Sequence, residues 1–274
     1  MKKVYLLALV ALFTISCSQH KTTTDLNRMN IKGNVSFVTD TIWNTEELFG
    51  EVVKTGVKNL IKYEINDQGN ITNKVEYGSD GKLTEKTIYA YNEEDLILSE
   101  KCYKDDGSLY YSYTYTYIDD NKYKINTVWD GYLKYTEEDV YYKTNNLIDS
   151  ICTVKIEDGE EFKTKQVFEQ IDELSCKSTM YNADGSKSEE IQYMDENLRL
   201  IKVEGINQNL KVEWAYKDDL LSYYSYQSED WSSKAEYKYK FDNKGNWIEK
   251  IEYKTNKNGI TRIEEMTTRN IQYK

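Results

Sequence analysis

One histidine, His20, and four cysteines, Cys17, Cys102, Cys152 and Cys176, are the only imidazole and thiol groups of this 274-residue chain. A lone imidazole in a polar N-terminal stretch supplies neither a His-rich zinc site nor the base of a Ser-His-Asp or Cys-His pair, so His20 reads as a solvated linker residue. Cys102, Cys152 and Cys176 follow one another at 50 and 24 residues, which matches no metal-site spacing. Their odd number allows at most one internal disulfide, whose pairing the sequence leaves open, and they read best as ordinary strand cysteines. Paired carboxylates hydrolyse glycosides without histidine. The 47 acids are spread so evenly, however, that no pair stands out. The expectation is a non-catalytic chain with no cofactor and no metal.

Aromatic residues carry the remaining chemistry. Trp43, Trp129, Trp214, Trp231 and Trp247, with 26 Tyr, offer flat faces that stack on sugar rings beside Asp and Asn acceptors. Trp231 lies in the polar stretch Ser228-Glu229-Asp230-Trp231-Ser232-Ser233, so it is the candidate for exposed ligand stacking. The formal charge of -11 opposes a nucleic-acid partner, because phosphate binding needs clustered Lys and Arg.

The N-terminus is expected to be processed. Met1-Lys2-Lys3 and the apolar run Val4 to Phe13 form the basic and hydrophobic parts of a secretory signal. Thr14-Ile15-Ser16-Cys17 resembles the lipobox of bacterial lipoproteins, which implies removal of residues 1–16 and lipidation, palmitate included, of Cys17. Residues 17–30 then read as a flexible tether and residues 31–274 as a single β-rich domain, with the membrane as a partner through the lipid. Ser18-Gln19 resembles the default that sorts lipoproteins to the outer membrane, on its periplasmic face or at the cell surface.

From about residue 31, runs of Tyr, Ile, Val, Leu and Thr alternate with polar residues and break at turns rich in Asp, Asn and Gly. Tyr77, Tyr103 and Tyr181 each open a Tyr-x-x-Asp-Gly turn, at Asp80-Gly81, Asp106-Gly107 and Asp184-Gly185. No turn spaces carboxylates as a calcium loop does. In Leu109 to Tyr117 the odd positions hold one aliphatic and four Tyr and should face the core. The fold class expected is all-β, an antiparallel β-meander of repeated hairpins forming one large twisted sheet, open or curled into a barrel or sandwich. Asn44-Thr45-Glu46-Glu47 reads equally as a short capped helix or a long hairpin loop, and turns are blurred between Asp119 and Glu173 and between Gly205 and Asp230.

Phe241-Asp242-Asn243-Lys244-Gly245-Asn246-Trp247-Ile248 resembles the Tyr-Asp-x-x-Gly-Asn signature of YD/Rhs repeats, and Asn66-Asp67-Gln68-Gly69-Asn70-Ile71 is a second approximate copy. Together with the lipobox, Gly33-Asn34-Val35 and Glu47-Leu48-Phe49-Gly50, these hairpins resemble a family of uncharacterised bacterial envelope lipoproteins with Rhs-like strand repeats. That resemblance implies a fold and an address, and no functional residues. The function expected is an envelope lipoprotein presenting a β-sheet surface to a protein or envelope polymer, or alternatively binding glycan through exposed Trp and Tyr.

Overall fold

The computed structural model describes residues 24–130, 134–144, 147–206 and 209–274; the expected signal peptide, Cys17 and His20 lie outside the described residues. One helical turn, α1 (Asp25–Arg28), precedes the strands β1 (Val35–Leu48), β2 (Glu51–Ile65), β3 (Ile71–Gly78), β4 (Leu83–Tyr91), β5 (Ile97–Lys104) and β6 (Leu109–Asp119). The chain continues through β7 (Lys122–Asp130), β8 (Lys134–Thr144), β9 (Leu147–Glu157), β10 (Glu160–Asp172), β11 (Ser175–Tyr181) and β12 (Lys187–Met194). It ends with β13 (Leu200–Ile206), β14 (Lys211–Lys217), β15 (Leu220–Gln227), β16 (Ser232–Phe241), β17 (Trp247–Thr255) and β18 (Thr261–Tyr273). Asn44 to Glu47 belong to β1, which removes the helical option there.

Every strand pairs antiparallel with the next, and β18 returns to pair with β1 from Val35 opposite Tyr273 to Trp43 opposite Met266. The meander therefore closes completely, and the expected twisted sheet is an 18-stranded barrel. Closure removes the two edges that an open sheet without proline would have had to protect with charge alone.

Turn chemistry sets the register. In Asn66–Asn70, Asn92–Leu96, Asp195–Arg199, Asp242–Asn246 and Asn256–Ile260 the first side-chain Oδ1 accepts backbone N–H groups two and four residues on. The fourth residue takes a left-handed conformation, with φ of 91° at Gly69 and 76° at Gly245. The first four of these turns slip the pairing by one residue beside the loop, as a Gly-type bulge does, whereas at the Asn256 turn the slip falls further along the strand, between Glu252 and Tyr253. The Asp-x-x-Gly-Asn signature read from the sequence is this device.

α1 sits in one mouth of the barrel. Asp25 accepts a 2.7 Å bond from the Tyr91 hydroxyl on β4, while Asn30 donates to the Asp218 carbonyl between β14 and β15. Seven strand spacings, about 34 Å along the wall, separate those sites. A segment six residues long reaches both only by crossing the mouth. Leu26 and Ile31 pack there with Val35, Val38 and Ile65, with Met29, Tyr63, Ile71, Ile271 and Tyr273 around them. From Thr24 onward the stretch expected as tether is thus part of the fold, because Leu26 and Ile31 find an apolar seat at the mouth. We call this end the plugged rim and the opposite end the far rim.

The plug identifies the inner face. Val38 packs against it, and Val38, Tyr63, Lys74, Thr87, Cys102, Tyr111 and Trp129 lie opposite one another in one row across seven strands. Tyr111, Tyr113, Tyr115 and Tyr117 therefore line the lumen, as the parity of β6 led us to expect.

Candidate aromatic binding site at the far mouth

Two residues inward from the turn between β5 and β6, Tyr111 enters the lumen beside Trp129 and Tyr135. Alternation fixes this: each is the inward member of its strand, and the pairs Tyr111–Trp129 and Trp129–Tyr135 are directly opposed. Their rings run nearly parallel, with centroids 5.4 Å apart at 7° and 6.1 Å apart at 9°. Tyr113 continues the ladder at 5.3 Å from Tyr111. Lys155 caps Tyr135 at 4.3 Å from its centroid.

One row deeper, Tyr113 stands between Glu100 and Thr127, and Glu137 is opposite Thr127 and Lys155. Burial raises the Glu137 carboxyl to about 7, and the neighbouring Asp139 carboxylate pushes the same way. Asp139 and Glu100 are also raised, again chiefly by burial. Burial lifts the Tyr113 hydroxyl to about 12. Asp139 accepts a hydrogen bond from Thr153, and Tyr111 donates one to Glu100 at 3.0 Å.

Trp231, singled out from sequence, lies at the far rim between β15 and β16 and is 56% exposed. Its carbonyl accepts the Ser228 backbone N–H at 2.7 Å, which ties the turn. Beneath it a cavity of about 500 Å³ opens on the inner face, lined by Tyr224, Tyr226, Ser228, Tyr237 and Glu252. Burial raises Tyr237 to about 12 and raises Glu252. The far mouth thus carries aromatic surface on two wall segments, β6 to β8 and β15 to β17.

The other tryptophans have structural duties. Trp214 packs on Tyr224 at 5.9 Å beside the cavity. Trp43 donates to the Thr268 hydroxyl at 2.8 Å and lies under the Lys54 ammonium. Trp247 is buried beneath the Arg269 guanidinium, 3.6 Å from its centroid. Cys102 and Cys176 are buried and Cys152 is half-buried, and among the described residues no disulfide joins any two of the three.

Two groups of residues escaped the sequence reading. Asp40 and Arg269, opposite each other where β1 meets β18, form a buried bidentate pair at 2.7 Å in both bonds. Asn246, fully buried, accepts the Lys32 N–H at 2.6 Å and donates to the Lys32 carbonyl and the Tyr273 hydroxyl, which in turn donates to Asp242. The Asn246 signal was present, as the last Asn of the repeat signature. Asp40 and Arg269 gave none, since their partnership spans 229 residues.

The outer wall is charged at mid-strand. Lys62, Lys86 and Lys101 face out from β2, β4 and β5, and the pairs Lys177–Glu189, Lys202–Glu204 and Lys240–Glu249 meet at 2.7, 2.7 and 2.6 Å. Outer tyrosines lie under lysines, Tyr77 under Lys62, Tyr193 under Lys202 and Tyr253 under Lys238. A lipid-facing barrel carries instead a continuous apolar band.

No family model matches the chain, and no curated protein matches it. Among solved structures it is similar to a porin-like protein from Bacteroides uniformis ATCC 8492, with 12% identity, a TM-score of 0.45, and coverage of 87% of this chain and 96% of that one. It is also similar to a porin-like protein from Bacteroides vulgatus ATCC 8482, with 13% identity, a TM-score of 0.39, and coverage of 89% and 99%.

Proposed function

We propose that this chain is a non-catalytic lipoprotein of the bacterial outer membrane, held by lipid on Cys17, whose barrel binds a saccharide chain of the envelope at its far mouth. The observation that carries the reading is the parallel ladder of Tyr111, Trp129 and Tyr135 beside Glu100, Thr127 and Glu137. The faces of these rings are taken by one another and by Lys155, so a saccharide would lie along their edges with its hydroxyls on the polar row beneath, while the exposed face of Trp231 is free for a pyranose C–H face. Trp231 and the Tyr224–Tyr226–Tyr237 cavity supply a second platform across the mouth. The envelope address rests on the signal and lipobox residues and on their resemblance to Rhs-like envelope lipoproteins. The charged outer wall favours a barrel in water beside the bilayer over one within it.

A binding role is preferred over hydrolysis on geometric grounds. A retaining glycosidase holds its two carboxyl groups about 5 Å apart with the sugar between them, and an inverting one holds them farther apart. Glu137 and Asp139 stand side by side on one wall, two residues apart on β8, rather than flanking a place where a glycosidic bond could lie between them.

Calorimetric titration with soluble glycan fragments prepared from the envelope, followed in parallel by indole fluorescence, tests the reading. Trp129→Ala should weaken binding about tenfold, the equivalent of ~1.4 kcal/mol. Trp231→Ala should weaken it less. If no fragment gives heat or a fluorescence change with the unaltered protein, the saccharide reading falls, and recognition of another protein by the sheet surface takes its place.

A further inference from the structure

The rings of the cavity beneath Trp231 are covered differently from those elsewhere on the barrel. On the outer wall Tyr77, Tyr193 and Tyr253 lie under lysine ammonium groups at 5.2, 4.9 and 4.6 Å from their centroids. At the other platform Tyr135 lies under Lys155 at 4.3 Å. Alternation aims Tyr224, Tyr226 and Tyr237 into the cavity from β15 and β16, since Tyr224 is opposed to Ala235 and Tyr226 to Ser233 on the inner face. Trp231 stands over them at the rim. Among the described residues no side-chain cation covers any of these four rings, and only Tyr224 meets another ring, that of Trp214.

Glu252 reaches the same cavity from β17, opposed to Tyr237 on one side and to Glu265 of β18 on the other. The charges around it are largely matched. Lys250 meets Glu265 at 3.7 Å, and Lys254, which also lines the cavity, meets Glu264 at 3.8 Å. Lys234 is exposed and belongs to the outward row, opposite Ser225, and Arg262, opposite Lys254, is exposed at the rim. Among the described residues Glu252 makes no hydrogen bond and no close ion pair. Burial raises its carboxyl above the usual range; Lys250 and Lys254 draw it down, and Glu265 and Glu264 push it up. A cation beside it would offset both the burial and the repulsion. The uncovered ring faces favour the same guest, because the ring quadrupole attracts positive charge. The formal charge of -11 adds a long-range attraction of the same sign.

We infer that the cavity beneath Trp231 binds the protonated amine of an amino sugar, with Glu252 as its counter-ion and the faces of Trp231, Tyr226 and Tyr237 as its aromatic walls. The inference rests on the saccharide reading above and adds to it the charge of the sugar that is selected. A cavity of about 500 Å³ is of the size that takes a small ligand group. A free ammonium donates charge-assisted hydrogen bonds to the carboxylate. An N-acetylated sugar keeps the ring and its hydroxyls but brings no charge to Glu252, so it retains the stacking and loses the ionic part.

Two oligosaccharides of equal length that differ only at nitrogen test it. A glucosamine tetramer with free amines and its fully N-acetylated counterpart are titrated calorimetrically into the full-length chain in detergent, at pH 6, where the amine is protonated. The free-amine tetramer should bind about tenfold more tightly, and the difference should shrink as salt is raised. Glu252→Gln should bring the two affinities to within about threefold of each other while leaving that of the N-acetylated tetramer within about threefold of its value in the parent. Glu249→Gln, on the outer face of the same strand, should keep the full preference. Equal affinities in the unaltered protein, or a preference that survives Glu252→Gln, overturn the inference and leave the saccharide reading standing. A tetralysine peptide that binds as tightly as the amino sugar also overturns it, since the cavity would then select amines without regard to the sugar. Heat from neither tetramer overturns it as well, and the envelope fragments then decide the saccharide reading on their own.

Discussion

Asp40 and Arg269 show how much one residue pair can hold in a closed barrel. Their side chains are nearly inaccessible, and Trp247 covers the guanidinium. Removing one partner of such a pair strands the other charge in low dielectric, at a cost of about 3–5 kcal/mol. Asp40→Ala should therefore lower the melting temperature by on the order of 10 °C. The double replacement Asp40→Leu/Arg269→Met should cost much less, and thermal denaturation of both variants separates stranded charge from lost packing. Glu137 makes a second residue-scale prediction. In the unfolded chain its carboxyl ionises near 4.5, whereas in the lumen burial and Asp139 hold the proton to about 7. Below both values the two states bind the proton equally. As pH rises between them the unfolded chain releases it first, so the folded state loses stability, and the loss is complete above about 7. Glu137→Gln should leave the melting temperature unchanged at pH 4 and raise it at pH 8.

At the scale of elements, the turns were the most legible part of the sequence. Asp80-Gly81, Asp106-Gly107 and Asp184-Gly185 close hairpins as expected, with each Asp accepting the backbone N–H two residues on. Two turns lack glycine where the backbone would favour it. Asp218 and Asp219 close the turn between β14 and β15 with φ of 51° and 63°, and Leu198 takes 58° in the fourth position of the Asp195 turn. A side chain in the left-handed region costs about 1–2 kcal/mol, part of which glycine recovers. Leu198→Gly should accordingly stabilise the protein by about 0.5–1 kcal/mol, visible as a rise of a few degrees in melting temperature. Bulges also limited the reading of faces. Strict alternation puts Ile71 on one face with Val75 and Tyr77, yet the register slip beside Ile71 turns it towards the plug while the other two face outward.

For the whole molecule, alternation and turn spacing disclosed an antiparallel meander but not its closure, because closure depends on a single pairing between the most distant strands. Nor could the sequence show which aromatic residues meet. Trp231 was recognisable as exposed from its polar neighbours, whereas Trp129 looked like any core residue until the register set it between Tyr111 and Tyr135. The polarity of the wall leads to a prediction at this scale. Each Lys or Arg facing hydrocarbon at mid-strand costs about 2–4 kcal/mol, and this wall has many. A protease site placed between Cys17 and Thr24 should release the cleaved barrel into the aqueous phase without detergent. A barrel that stays in the membrane fraction after complete cleavage would contradict the reading of its outer wall.

The return of β18 to β1 also has a bearing on how the chain reaches its native state. Seventeen of the eighteen strand contacts join neighbours in sequence and can form by zipping of local hairpins, whereas the last joins residues more than 220 positions apart. The entropy of bringing distant ends together must be met before that contact returns any energy, so closure should be the late and slow event of folding. Until β18 leaves the ribosome, β1 has only β2 beside it, and the Asp40 carboxylate waits for its cation. Before closure the folding protein is therefore a curved sheet with two live edges, and this interval is when it is most exposed to aggregation.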